Sequence, residues 1–495
     1  MARVVVVGAG IGGLAAAARL AAFGHQVTVL EQAGSVGGMV GTYSHDPFRF
    51  DTGPTAFTLP AVYRDLFRAT GRPLERELEL VPVDPMWHVR FADGVEIDLP
   101  NASRAGVLRE IDDALGPRAA ASWDALLRRG ERIWRIIRQP FLESPTGVRG
   151  LLRLAAHPGD VRALGPGRSL RALGLRLLPD ARLRAILDSY AELAGSDPRR
   201  APALLVAAAY VEHTFGSWTV RGGMFQLVEA LRDRAVVRGA VVRTAAPVTR
   251  IQVTDGRATG IRLQGGETVP GDVVVAGVDS ALIDGLVAPE AGSVRRQMTP
   301  SRASSSSVFT ILLALRGRTH GLNRRTILFP EDTDAELDAV FGADARPAHD
   351  PTIYLSAPDD PTLRPSTEAE ALTIHVPAPR HGTGGPGTLD WTAPGLAESY
   401  ADRVLVVLAS RGSDVRDRVL WRVVRSPQHL EQEVGAPGGR TGGPALDGLA
   451  SLWRRPANRT SVRGLFLVGG SSRPGSGLPL VGLSAAAVAD LVGRA

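Results

Sequence analysis

The chain of 495 residues contains no cysteine and no lysine, and only 5% of it is aromatic. The missing cysteine excludes disulfides, thiolate nucleophiles, iron–sulfur clusters and cysteine-bound zinc. Any redox work therefore needs a bound organic cofactor. The ten histidines show no paired spacing of the HExxH kind, so metal catalysis has no support either. Without lysine, all 57 strongly basic residues are arginine, a bias that GC-rich codon usage is enough to produce. No nucleic-acid recognition motif accompanies the net charge of +6, and no nucleic-acid partner is expected. No apolar run reaches the roughly 18 residues of a membrane-spanning helix. Met1-Ala2-Arg3 leads directly into a strand rather than a signal peptide, so a cytoplasmic location is expected. The length is too great for one core, and two interleaved domains are the natural expectation.

What is present begins at residue 3. Residues 3–7, Arg-Val-Val-Val-Val, read as a buried parallel strand. They run into Gly8-Ala9-Gly10-Ile11-Gly12-Gly13 and an alanine-rich helix that Gly24 stops. A second strand, residues 26–30, ends on Glu31. In this βαβ start Gly8 permits the tight turn, Gly10 lets the backbone approach a pyrophosphate, and Gly13 lets helix pack on strand. Glu31, 18 residues beyond Gly13, is placed to accept hydrogen bonds from an unphosphorylated ribose, with Gln32 beside it. From this unit alone NAD remains possible as well as FAD.

The next segments separate the two. Gly37-Gly38-Met39 follows, then Asp51-Thr52-Gly53-Pro54-Thr55. Here the chain resembles the flavoprotein superfamily of amine oxidases and carotenoid desaturases. In that superfamily a Gly-Gly segment runs beside the FAD pyrophosphate, and a D-x-G-P-T run lies beneath the flavin. Met39 stands where the family usually has Arg or Lys. Thr214 to Met224, ending Arg221-Gly222-Gly223-Met224, resembles the segment by which desaturase-like flavoproteins return to the FAD domain. Near the C-terminus, residues 464–470 form a strand ending in Gly469-Gly470. Ser471-Ser472-Arg473-Pro474-Gly475-Ser476-Gly477-Leu478-Pro479-Leu480 and an alanine-rich helix follow. Bacterial phytoene and carotenoid desaturases have this pattern at their last FAD-binding segment. Amine oxidases usually carry an acid where Ser471 stands.

The resemblance implies an α/β fold. A Rossmann-like two-dinucleotide-binding FAD domain (1–86, 214–290 and 458–495) would be interleaved with an α+β substrate domain (87–213 and 291–457) carrying membrane-facing helices. Val248 would pack near the adenine. Between the FAD segments, residues 87–99 read as a hairpin with an Asp93-Gly94 turn, and 105–210 as mostly helical. After a helix at 225–237, strands at 241–243, 248–254, 257–263 and 272–276 read as a β-meander. Residues 308–315 read as a buried strand, and the glycine-rich stretches 381–387 and 435–443 as flexible surface connections.

The implied reaction is FAD-mediated removal of two hydrogens across a C–C bond of an apolar polyene. Such a step needs no protein nucleophile, and Asp51 reads as a support for the flavin segment. Arg473 and His88 are the candidates for proton transfer, and the simpler reading of each is a structural or solvated residue. Rivals on the same scaffold are a carotenoid ketolase, an isomerase, a saturase and an amine oxidase. A non-catalytic flavin-fold protein that binds lipid or a partner is the rival from another class. Between Arg128 and Arg184 thirteen arginines face four acids, a net +9 interleaved with Trp134, Ile136, Ile137, Phe141, Leu151, Leu152, Leu154 and the 173–178 leucines. This pattern suits a peripheral surface on an anionic bilayer and also suits ordinary surface helices.

Overall fold

The four valines of residues 4–7 are all buried, as a strand covered on both faces requires. In the computed structural model, which describes residues 1–138, 158–287, 305–319, 321–322 and 324–495, they belong to β1 (Arg3–Val7). β1 is the middle strand of a five-stranded parallel sheet. β2 (Gln26–Leu30) and then Val241–Arg243 lie to one side, Val273–Ala276 and then Leu465–Leu467 to the other. Helix α1 (Ile11–Ala22) makes the crossover and is buried from Ile11 to Ala21. Its small side chains let it lie close between helix Phe225–Val237 and the last helix, Leu478–Val492, sharing a core of Leu14, Leu20, Leu227, Leu231 and Val488.

The β-meander differs from the sequence expectation. It consists of Val248–Thr254, Arg257–Leu263 and Thr268–Pro270, while Val241–Arg243 and Val273–Ala276 join the parallel sheet. The Asp255-Gly256 turn does form, with both residues at positive φ. A turn dipeptide identifies only the two strands it joins. Val241–Arg243 instead follows a helix, and a strand reached through a helix returns parallel to its neighbour.

A second sheet of seven strands has the order Val419–Arg425, Ser307–Arg316, Ala369–Ala378, Ile353–Ser356, Arg325–Leu328, Trp87–Arg90, Glu96–Leu99. The last two are the expected hairpin, with Gly94 at φ 84°. Trp87–Arg90 pairs in parallel with Arg325–Leu328, so stretches on either side of residues 214–290 build one sheet. One face, with Phe309, Ile311 and Ile374, packs on helix Leu396–Ser410. The other sets Leu312, Ala314 and Ala371 against Phe48 and Phe50 of the hairpin Thr42–His45/Phe48–Asp51. That contact brings the second sheet against the N-terminal glycine segments.

Six described helices between Arg104 and Phe215 cover the far end of this sheet. Trp123, Leu126, Ile133, Ile137, Leu173 and Leu178 are buried there, so much of the apolar content interleaved with arginine turns inward. Leu175 stays out, 62% exposed, beside exposed Arg176. Phe141, Leu151, Leu152 and Leu154 lie outside the described residues. Acids from elsewhere offset part of the arginine charge: Arg171 pairs with Asp188 and Asp334, and Arg182 with Asp93. Among the described residues no helix is long and apolar enough to cross a membrane.

Helix Thr333–Phe341 carries Glu336, which is buried and accepts hydrogen bonds from the N–H (2.7 Å) and hydroxyl (2.6 Å) of Thr352. Burial pushes its carboxyl up to about 7 from an ordinary value of 4.5. The folded protein therefore keeps a proton that the unfolded chain releases. The stability this brings is complete below pH 4.5 and is lost as pH rises through 7. Glu336→Gln should flatten the fall in unfolding free energy across that window, by roughly 3 kcal/mol at most. Urea melts at several pH values test this, and equal slopes for both proteins would refute it.

Candidate flavin site

The chain leaves β1 and turns at Gly8, whose φ is 95°. A Cβ on Gly13 would lie 2.0 Å from the Gly8 carbonyl oxygen, and one on Gly12 would lie 3.0 Å from Gly469 Cα. At both places backbone rests on backbone. Gly10 is different, because its missing Cβ would meet nothing nearer than the Gly37 oxygen at 3.8 Å. Gly469 and Gly477 have nothing within 4 Å. These open positions lie at the start of α1, just after Leu465–Leu467, and at the N-cap of the last helix. Gly37 forms a bridge with Gly10, and its N–H donates to the Ala9 carbonyl at 3.0 Å.

Two helix N-termini therefore border one glycine-lined strip. Each favours an anionic group. This arrangement fits FAD: Gly8, Ala9, Gly10, Gly37 and Gly38 would hold the pyrophosphate, and Gly469, Gly470 and Gly477 to Leu480 the flavin end. The hydroxyl of Tyr63 donates to the Leu478 carbonyl at 2.7 Å and pins the start of the last helix.

Other expected residues gather around the strip. A Cβ on Gly53 would lie 1.9 Å from the Met39 oxygen, so Gly53-Pro54-Thr55 sits directly on the Gly37-Gly38-Met39 segment. Val248 packs over the ends of β1 and β2, on the cluster containing Val7 and Leu30. Gln32 is exposed. Glu31 is engaged within the fold as well, its carboxylate accepting from the Ala9 N–H (2.7 Å) and the Ala33 N–H (2.9 Å). A buried carboxylate must find donors, and these backbone amides are within its reach. Its remaining lone pairs are the ones left for a ribose.

Asp51 accepts from the N–H groups of Met224 (2.9 Å) and Phe225 (3.3 Å) at the start of helix Phe225–Val237. A Cβ on Gly223 would lie 2.9 Å from its Oδ1. Asp51 thus ties the return segment to the flavin segment, and burial pushes its carboxyl up to about 6.

The two candidates for proton transfer have hydrogen-bond partners within the fold. His88 sits in the outer hairpin, with Nδ1 2.7 Å from Asp98 and Nε2 accepting from Arg90 at 3.0 Å. No cofactor segment is among those partners. The Nε of Arg473 donates to the Arg455 carbonyl at 3.1 Å.

Several residues around the strip carry no recognisable motif. Residues 435–443 are not a loose surface connection: Gly438, Gly439, Arg440 and Gly442 are buried. A Cβ on Gly443 would lie 2.8 Å from Ser471 Cα, so the stretch reaches the C-terminal glycine segment. Arg440 forms a buried ion pair with Asp279, and Arg455 donates to the Gly470 carbonyl. Across three strands of the second sheet, Arg425, Thr310 and His375 stand in one row. Arg425 donates to the Thr52 carbonyl at 3.2 Å, and His375 Nδ1 lies 2.9 Å from the Thr310 hydroxyl. The Nε2 of His375 is shut off from solvent, and the ring lies against the Gly53 backbone. Burial, helped by Arg425, pushes the ring down to about 4, so it is neutral at physiological pH. Only strand register brings these residues to Thr52 and Gly53.

The open and closed glycines predict different failures. Gly10→Val should leave the apoprotein's thermal stability close to wild type while abolishing flavin absorbance in the purified protein. Gly13→Ala, forced against the Gly8 carbonyl, should lower both. Full flavin loading of Gly10→Val would contradict the assignment of the strip.

Comparison with known proteins agrees with this geometry. The family model described as flavin-containing amine oxidoreductase matches residues 11–352. A 4,4'-diapolycopene oxygenase of Methylomonas sp is 30% identical over 99% of this chain and 98% of its own length. A zeta-carotene-forming phytoene desaturase of Myxococcus xanthus is 31% identical over 99% of this chain and 93% of its own. Among solved structures, an oxidoreductase from Methanosarcina mazei superposes with a TM-score of 0.66 at 19% identity, covering 99% of this chain and 100% of that one.

Proposed function

Because this chain belongs to the family of flavin-containing amine oxidoreductases, together with carotenoid desaturases and oxygenases, we propose that it dehydrogenates a C–C bond of a carotenoid-type polyene, with FAD as cofactor. The carrying observation is the extent of the likeness. About 30% identity runs over 99% of the chain, so it covers the second sheet and the helices as well as the glycine segments.

FAD supplies the two-electron acceptor. The chain's own residues do the binding and placing. The amides at the start of α1 would hold the phosphate charge, and the backbone at Gly469 and Gly477 would let the flavin approach closely. Gly53-Pro54-Thr55, next to Thr52 whose carbonyl Arg425 holds, would support the flavin. A polyene offers no polar handle, so its binding rests on apolar contact and exclusion of water. We assign residues 1–86, 214–290 and 458–495 to the cofactor domain, and 87–213 and 291–457 to the substrate domain. His88 and Arg473 serve as structural residues in this scheme.

A second reading, an oxygenase that adds oxygen to the polyene, is favoured by the match to the diapolycopene oxygenase, which spans nearly all of both chains. The protein's place would be the cytoplasmic membrane surface, where exposed Leu175 and the surrounding arginines meet anionic lipid and the substrate enters from the bilayer.

Expression in a host that accumulates phytoene, with pigment extraction and absorption spectra, tests the reaction. A red-shifted polyene is expected. A more polar, oxygenated product from an apolar carotene would select the oxygenase reading. Flavin-loaded protein that leaves phytoene and later carotenes unchanged would overturn both. For the membrane surface, the protein should sediment with anionic vesicles, less so at high salt and less so for Leu175→Glu. Binding indifferent to both changes would count against that surface.

A further inference from the structure

Arg455 is 3% exposed. Its guanidinium donates to the carbonyl oxygens of Gly442 (3.2 Å), Pro444 (2.9 Å) and Gly470. No carboxylate is ion-paired with it among the described residues. The neighbouring Arg440 is matched by Asp279, with Nε donating at 2.9 Å, so that pair carries no net charge. Burial lowers the Arg455 guanidinium to about 10, which still leaves it protonated at neutral pH. Carbonyl dipoles solvate this cation but bring no opposite charge. A buried charge without a counter-charge is costly, and it favours any negative charge that forms nearby.

Its place decides where that field acts. A Cβ on Gly475 would lie 3.8 Å from Arg455 Nε, and Gly470 accepts directly from the guanidinium. The Arg455 backbone in turn receives the Nε of Arg473. The cation therefore lies beneath residues 469–477, the loop whose two ends are the open glycines Gly469 and Gly477. The N-terminus of the last helix begins at the end of the same loop and acts with the same sign.

We propose that Arg455 is an electrostatic positioning residue whose uncompensated charge stabilises the reduced, anionic form of the cofactor carried by the 469–477 loop. FAD taking up two electrons and one proton gains one negative charge, and no protein group changes protonation in the step. The inference rests on FAD as the cofactor and is independent of which substrate delivers the electrons.

Equilibration of the purified holoprotein with a redox dye, read by flavin absorbance, tests it without any carotenoid. In Arg455→Gln the ratio of reduced to oxidised cofactor at a fixed dye potential should fall about tenfold, a midpoint about 30 mV lower for a two-electron couple. Arg455→Lys should retain most of the wild-type potential, because it keeps the charge but not the fork of donors. Asp279→Asn should shift the potential upward. It leaves the Arg440 charge uncompensated while keeping an acceptor for the Ala281 N–H, now 2.8 Å from Asp279. A purely structural role would not move the two variants in opposite directions. An unchanged potential in flavin-loaded Arg455→Gln overturns the proposal. If that variant cannot hold FAD, an unchanged or lowered potential in Asp279→Asn overturns it instead.

Discussion

Backbone packed directly on backbone is the constraint around which this structure is organised. Gly13 closes on the Gly8 carbonyl and Gly53 on the Met39 carbonyl, with no room for even a methyl group, and Gly12 rests tightly on Gly469. Together they draw the start of α1, the Gly37-Gly38 segment and the C-terminal strand end to one place, although more than 400 residues separate the first from the last. The open glycines, Gly10, Gly469 and Gly477, then face a strip that a flat, phosphate-bearing cofactor fits. A side chain at a closed position would push the elements apart. One at an open position would fill the cofactor's space.

The arginine-only composition shapes the second layer. Arg425, Arg440, Arg455 and Arg473 all lie partly or wholly inside, and each donates to backbone carbonyls or to a buried acid around the cofactor strip. The planar fork of donors lets one guanidinium bind several carbonyls at once, which a lysine ammonium does less well. Residues 435–443 show the consequence. Their glycine content reads as a loose surface connection, yet the segment is packed because Arg440 and Arg455 hold it to Asp279 and Gly470.

Much of the fold was legible because it rests on local rules. The βαβ start, the hairpin at 87–99, the strand at 307–316 and the last strand and helix each follow from hydrophobic period and glycine placement over a few residues. Assignments that depended on distant partners failed or shifted. Val241–Arg243 has the right composition for a meander but lies beside β2. The apolar residues between the arginines of 128–184 look like a surface stripe, yet Ile137, Leu173 and Leu178 serve the core. The partners of His88, Asp98 and Arg90, became visible only with the pairing of its hairpin.

The division follows from range. Glycine spacing, the acid after β2 and the absence of cysteine pointed from the chain alone to a bound dinucleotide as the carrier of the chemistry, because those features act through the backbone over a few residues, and the resemblance of the later glycine segments to flavoproteins narrowed it to FAD. The tertiary structure alone decided which charges face that cofactor. Arg455 has no motif around it, and only the folding of residues 435–455 under the C-terminal loop places its cation there. His375 and Arg425 reach Thr52 and Gly53 only through the register of a sheet assembled from stretches far apart in the chain. Long-range pairing of this kind leaves no local pattern, since each strand needs only to be apolar on one face to take its place.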